Sequence, residues 1–347
     1  MKTKFVSLFI LIIIIIFSAL EIKEYNDIEN RRLLFIEQIQ EFDFNKIPLE
    51  NLPILDNLNN NILEMGKNEM SKHKVIFAGI ARDNLKDLPT TIKHIYFLSS
   101  FFKDYRIVIF ENDSKDGTKQ AFETWMEKDK KVKILSKTYG IKKRPNHKFL
   151  ADARNEYLQE IKEYEDFDLV IMLDMDMSHG VDARGIFDSF SKINDWDMVC
   201  SNGISNSKGE MYDMFAFRNN EFPYTPSKWQ EICSINPTQE KCAYNNDIIR
   251  NIFFYRTGWQ SINRLYWLHI VPMGQKKSYS ITSELIPVNS CFGSLAIYKK
   301  DFIKDCSYNS IENDCEHVSF HQCIKDKNKG RVVMNPAQVI RYSHYYK

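Results

Sequence analysis

The sequence predicts an α/β protein built around a mostly parallel sheet, and three observations carry that expectation. From Lys74 onward, short β-type runs alternate with amphipathic helical runs, as in parallel α/β units. Val170, Ile171, Met172 and Leu173 form an apolar run with no polar alternation, the pattern of a strand covered on both faces. Acidic and polar residues gather just after the strands, at the edge where open α/β sheets place their ligands.

Taken in order, KVIFAGI (74–80) is a strand, TTIKHIYFLSSFF (90–102) a helix and YRIVIFE (105–111) the second strand. A turn, NDSKDGT (112–118), leads into a helix that runs to Lys128, and KVKIL (131–135) is the third strand. KFLADARNEYLQEIKEY (148–164) is a helix, and the apolar run ending at Leu173 is the fourth strand. Right-handed crossovers would deliver the loop after each strand to one edge of the sheet. Beyond His179 the periodicity weakens. DMVCSNG (197–203) reads as a strand, MYDMFAFRN (211–219) as an aromatic-rich strand, and residues 220–277 contain a long insertion with Trp229, Trp259 and Trp267. Most of these aromatics are assigned to core, although sugar rings also stack on such faces. SCFGSLAIYKKDFI (290–303) is a further strand region, CEHVSFHQCI (315–324) opens a helix, and NPAQVIRYSHYY (335–346) follows.

Composition bounds the possibilities. The 347 residues are 44% hydrophobic and 27% charged, as in ordinary globular proteins. A net charge of +1 provides no footprint for nucleic acid, which is excluded as a partner. Residues 5–20, FVSLFILIIIIIFSAL, are apolar apart from two serines and follow Lys2 and Lys4. As a helix this run is roughly 24 Å long, against roughly 30 Å of bilayer hydrocarbon. It reads as an uncleaved signal anchor with its N-terminus in the cytosol, giving a single-pass type II membrane protein. A cleaved signal peptide is the competing reading, but no small-x-small site follows. The organisation expected is an anchor over 1–20, a stem over 21–70 that includes Pro48 and Pro53, and a catalytic domain over 71–347. That domain divides into halves at 71–180 and 181–347.

All seven cysteines follow the fourth strand. In the lumenal or extracytoplasmic setting beyond such an anchor, disulfides are expected. Cys233 with Cys242 is a local candidate, and Cys306 is within reach of Cys315 or Cys323; the odd number leaves at least one thiol over. No close Cys-x-x-Cys pair supports a zinc site.

Asp174 and Asp176 close the fourth strand, with Asp168 just upstream. Side chains two apart in an extended chain point the same way, so the two carboxylates can converge. Hard oxygen ligands so placed suit Mg2+ or Mn2+ held jointly with substrate phosphates. An acidic pair at a strand end is also the composition of a solvated turn, so the neighbours must decide. After the second strand, Glu111, Asn112 and Asp113 precede Ser114, Asp116 and Gly117, a group able to bond a base edge and ribose hydroxyls, or equally to form an Asx turn capping the next helix. Asn112-Asp113-Ser114 is also a glycosylation sequon, unused if the turn lines a site.

ENDSKDGT, ADARNEY and LDMDM, in that order, resemble the nucleotide-sugar half of glycosyltransferases of the GT-A fold. The resemblance implies a Rossmann-like mixed sheet flanked by helices. It places Glu111 and Asp113 against the nucleoside, with Arg82 and Asp83 as further nucleoside candidates, Arg154 on the diphosphate or ribose, and the metal on Asp174 and Asp176. The later segments FGSLAIY, CEHVSFH and NPAQVIRYSHYY are similar to the glycine loop, the acidic motif and the metal-ligating histidine of the same enzymes, and to the cryptococcal capsule-associated mannosyltransferase family. On that mapping Gly293 approaches the donor, Glu316 is the acid/base residue and His344 the third protein ligand. The implied activity is metal-dependent transfer of a hexose, mannose favoured, from a nucleotide sugar to a glycan or glycoprotein. GDP-mannose is the favoured donor, with UDP-glucose and UDP-galactose open because the insertion has no counterpart. Glu316 would take the acceptor proton if the reaction inverts, or orient the acceptor if it retains.

Two rivals remain at this point. Asp174-Met-Asp176 followed by Ser201 also resembles haloacid-dehalogenase-type phosphatases, with Asp174 as nucleophile, but the acidic motif that family needs downstream is missing. A catalytically inactive binding protein of the same fold is the other. The joint presence of Asp174, Asp176, Glu316 and His344 argues against it.

Overall fold

The structure, a computed structural model, describes residues 58–141, 146–177, 181–204, 211–221, 223, 278–281, 284–310 and 314–341, with a few helical positions between 15 and 34. Helix α1 (Asn60–Met70) leads into strand β1 (Lys74–Ala81), followed by α2 (Leu88–Ser99), β2 (Asp104–Asn112), α3 (Thr118–Lys128), β3 (Val132–Lys137), α4 (His147–Lys162) and β4 (Leu169–Leu173). Then come α5 (Ala183–Ser191), β5 (Met198–Ile204), β6 (Ile286–Pro287), β7 (Leu295–Lys299), α6 (Glu316–Asp326) and β8 (Val332–Arg341).

The eight described strands form one sheet in the order β3-β2-β1-β4-β7-β5-β8-β6. β3, β2, β1 and β4 run parallel. β7 inserts antiparallel between β4 and β5, β8 is parallel to β5, and β6 is antiparallel to β8, so the sheet is mixed as expected. Alternation within each strand supplies two cores. Phe77, Ile109, Ile171 and Ile297 face α1, α2, α3 and α5, whereas Ala78, Phe110, Met172 and Tyr298 face α4 and α6. With residues of both sets fully buried, the central strands read as continuous apolar runs.

Each helix is placed by its own sequence. Asn146 caps α4 by accepting the Phe149 N–H at 2.9 Å. Ala151, Arg154, Leu158 and Ile161 then recur on one buried stripe, which carries Arg154 into the core against the sheet. α1 lies inside the stretch read as stem and packs Leu63 and Met70 into the core on the opposite face of the sheet. Gly66 makes that approach possible: a Cβ there would lie 1.9 Å from the Phe187 carbonyl oxygen.

Several expectations are corrected. The 211–219 segment is not a strand: Met211 and Arg218 make isolated bridges with turns between them, because Asp213 and Arg218 bend the chain to bond neighbouring loops. β4 stops at Leu173, and Met175 and Asp176 lie in a turn. Met175 and Met177 nevertheless bury with α1, α2 and α5, leaving Asp174 and Asp176 on the other side. Cys306 pairs with Cys323, and Cys315 is free and buried. Cys200 pairs with Cys291, a bridge of β5 to the segment before β7 that spacing did not reveal. Cys233 and Cys242 lie outside the described residues, as does most of the 5–20 run. Among the described residues no helix is long and apolar enough to cross a membrane.

Candidate active site

Three loops at the C-terminal edge of β1, β2 and β3 are tied into one rim. Asp83 N–H donates to Ser114 Oγ at 3.1 Å, and Lys115 N–H returns to Asp83 Oδ1 at 2.7 Å. Arg82 Nη2 donates to the Ile141 carbonyl at 2.6 Å. Asp113 Oδ1 accepts the N–H groups of Tyr139 and Gly140 at 3.0 and 2.8 Å. Glu111 is buried, with its two oxygens taken by Ser114 N–H at 3.0 Å and Ser136 Oγ at 2.5 Å. The four residues read as nucleoside contacts therefore share one rim, where they first hold the loops to one another. Asp83 and Asp113 adopt left-handed backbone angles, φ 54° and 52°, a conformation non-glycine residues hold only when the surroundings impose it.

Beside this rim lies an acidic centre at the end of β4. The Asp174 N–H donates to the Ser294 carbonyl at 2.9 Å, which joins β4 to the turn before β7. Burial and the adjacent Asp176 push the Asp174 carboxyl up to about 8, with Asp213 adding to the rise and Arg154 and Ser294 opposing it. Asp213 was not anticipated. Its Oδ2 accepts the Gly293 N–H at 2.9 Å, and burial pushes its carboxyl up as well. The sequence signal was hidden because Asp213 sits in an aromatic run with the appearance of a strand.

Gly293 (φ 64°) and Ser294 (φ 69°) form the left-handed turn that carries these contacts. A Cβ on Gly293 would lie 2.3 Å from the Ser201 carbonyl oxygen of β5, so only glycine fits. Ser294 Oγ also meets the Tyr212 hydroxyl.

Arg154 and Glu316 meet behind this centre. Arg154 Nε donates to Glu316 Oε1 at 2.9 Å, and both side chains are almost completely buried. The guanidinium lies over the rings of Phe292 and Tyr308, 5.2 and 5.7 Å from their centroids. Asn155 fixes Tyr308 through a reciprocal pair, Nδ2 to the Tyr308 carbonyl at 2.9 Å and the Tyr308 N–H to Oδ1 at 2.8 Å. Burial raises the Glu316 carboxyl, but His147, Arg154 and His317 outweigh it and hold it well below the usual carboxylate range. His147, also not anticipated, brings Nδ1 to 3.9 Å from Glu316 Oε2. His317 stacks on Phe292 at 4.1 Å, and burial keeps it neutral; neither of its ring nitrogens finds a hydrogen-bond partner among the described residues.

The structure thus gathers Asp174, Asp176, Gly293, Arg154 and Glu316 at one end of β4, with Asp213 and His147 beside them. His344 lies outside the described residues. Among the described residues no group of three or more His, Cys, Asp or Glu is drawn together as a metal centre. The donor chemistry nevertheless fits a hard divalent cation: two carboxylates whose mutual repulsion lifts the proton affinity of Asp174 form a pair that such a charge would relieve.

No curated protein matches the chain. Similar solved structures include the mannosyltransferase PcManGT from Pyrobaculum calidifontis in complex with GDP-Man and Mn2+, at 12% identity and a TM-score of 0.42, covering 94% of this chain and 68% of that one. TarS 1-349 of S. aureus matches at 12% identity and a TM-score of 0.41, over 77% of this chain and 59% of that one. GalNAc-T7 with UDP, GalNAc and Mn2+ matches at 12% identity and a TM-score of 0.42, over 78% of this chain and 44% of that one. The chain therefore spans less than two thirds of the latter two. The profile of the family described as Cryptococcal mannosyltransferase 1 matches residues 74–329, which takes in the rim, the acidic centre and the Arg154–Glu316 pair. With most of its length so matched, the chain belongs to the cryptococcal mannosyltransferase 1 family and is a glycosyltransferase.

Proposed function

We propose that this protein transfers a hexose, mannose in preference to glucose or galactose, from a nucleoside diphosphate sugar to a hydroxyl of a glycan or glycoprotein, using Mn2+ or Mg2+. The donor proposed is GDP-mannose. The observation that carries the reading is the juxtaposition of the Asp174–Asp176 pair with the buried Arg154–Glu316 pair, within a segment matched to a mannosyltransferase family.

Asp174 and Asp176 would hold the cation, and His344 is proposed as a further ligand. When bound, that ion supplies positive charge to a departing diphosphate. The protein's own residues do the rest. The rim formed by Arg82, Asp83, Glu111 and Asp113 receives the nucleoside, and its cross-ties keep the pocket shaped in advance of binding. Gly293 meets the donor through its backbone, the space where a side chain would stand being taken by the Ser201 carbonyl of β5. The guanidinium of Arg154 favours the ionised form of Asp174 while anchoring Glu316, around which the acid/base chemistry is arranged. The two disulfides among the described residues support an oxidising setting for this domain, consistent with a type II orientation behind an N-terminal anchor.

The test uses the full-length protein with GDP-mannose, UDP-glucose or UDP-galactose, each with Mn2+, Mg2+ or EDTA, and follows nucleoside diphosphate release. Release from GDP-mannose that depends on the metal is expected. Preferential turnover of a UDP-sugar would reassign the donor, and no turnover of any sugar nucleotide would remove the reading.

A further inference from the structure

Glu316 is enclosed. It is 3% exposed, its Oε1 is occupied by Arg154, and Arg154 is itself held by Phe292, Tyr308 and, through Tyr308, Asn155. A carboxylate so fixed is well placed to orient a neighbour and poorly placed to meet a bulky acceptor. Its other oxygen, Oε2, accepts from the Cys315 thiol at 3.9 Å and faces His147, the first residue of α4. The His147 side chain is 25% exposed. Its Nδ1 is buried, faces Glu316 Oε2 at 3.9 Å and has no hydrogen-bond partner among the described residues. Covalent geometry puts Nε2 on the opposite side of the ring. Phe215 lies against the imidazole, tilted 33° to it with ring centroids 4.5 Å apart, and restricts its rotation. A second carboxylate, Asp314, interacts with His147 electrostatically and is itself held by Arg218 Nη2 at 2.5 Å.

We propose that His147 is the catalytic base of this site and that Glu316 is a positioning residue acting through it. This rests on the glycosyl-transfer reading above. The arrangement is that of an activated dyad: a buried carboxylate, itself fixed by a cation, faces one imidazole nitrogen and leaves the other for the substrate. At 3.9 Å the pair is not yet hydrogen-bonded, and it closes to bonding distance in the ternary complex. The acceptor oxygen forms its bond to the anomeric carbon as its proton passes to His147 Nε2. The bond from that carbon to the diphosphate oxygen breaks, and the electron pair leaves with the nucleoside diphosphate. The Nδ1–H donates to Glu316 Oε2, the charges of Glu316 and Asp314 stabilise the imidazolium, and water later takes the proton. One such displacement inverts the anomeric centre. The charged groups facing His147 are Glu316 and Asp314, with Arg154 and Arg218 behind them.

The experiment compares full-length wild type, His147→Ala, His147→Asn and Glu316→Gln for transfer kcat, donor KM, pH profile and rescue by added imidazole. Expected are a fall of roughly 10²–10⁴ in kcat for both His147 variants with donor KM within about two-fold. The acidic limb of the kcat profile should disappear, and imidazole should restore part of the rate in His147→Ala. Glu316→Gln should move that limb without erasing it and should not respond to imidazole. Wild-type transfer by His147→Ala, or a loss with the acidic limb intact and no imidazole rescue in a folded variant, overturns the assignment while leaving glycosyl transfer standing. Absence of sugar-nucleotide turnover in the wild type would instead remove both.

Discussion

Arg154 carries a full charge inside the protein, on the helix stripe where its neighbours are alanine, leucine and isoleucine. Removing its partner or itself leaves a buried ion uncompensated, so Arg154→Met should destabilise the protein by about 3–5 kcal/mol in denaturant unfolding, with Arg154→Lys costing less. Asp174→Ala and Asp176→Ala have a different signature. Each should lower metal-dependent sugar-nucleotide turnover by roughly 10²–10³-fold with stability unchanged or improved, because a buried carboxylate repelled by its neighbour has been taken away. Residues of this kind were legible in the sequence where chemistry and position coincide: two aspartates ending an apolar strand, a glutamate opening a helix. The pairing of Arg154 with Glu316 was not, since the partners are 162 residues apart and only the sheet brings them together. Asp213 and His147 escaped for a related reason, as their local sequence context carries no sign of what they face.

Among the elements, the turn Gly293–Ser294 does the most positioning, joining β5, β7, Asp174 and Asp213 through single contacts. Gly293→Ala meets both a left-handed φ and the Ser201 carbonyl oxygen, so it should cost about 1–3 kcal/mol and depress kcat further than a comparable destabilisation elsewhere. Parallel unfolding and turnover measurements would check this. The parallel half of the sheet was readable because period-two alternation and apolar runs fix a strand's identity locally. The later half was readable only in part. The aromatic content of 211–219 has the composition of a strand, yet the segment is bent by bonds from Asp213 and Arg218 to partners far along the chain.

For the molecule as a whole, opposing titrations set the pH response. Asp174 has a folded value of about 8, above its unfolded value, so the native state binds the extra proton and stability falls as pH rises towards 8. Buried His317 and His321 are depressed, the latter to about 3, so their neutral forms stabilise the fold above the ordinary histidine range and that stability is lost as pH falls through it. Glu316 acts in the same direction lower still, where acid removes its pairing. Thermal unfolding of metal-free protein should therefore show greatest stability near pH 6.5 and a decline of up to about 1.4 kcal/mol per pH unit between 6.5 and 8, reversed by Mn2+. The covalent ties act globally too. Closing loops of 91 and 17 residues, the bridges Cys200–Cys291 and Cys306–Cys323 contribute about 4–5 and about 3 kcal/mol by chain entropy, so reduction should lower the unfolding midpoint sharply. Among the described residues one cysteine sulfur stands apart from these ties. Cys315, sealed and un-ionised next to Glu316, is silent toward alkylating reagents while its surroundings stay shut. Its labelling rate, read by peptide mass, makes it an intrinsic clock for breathing of the pocket wall, one that saturating donor would slow.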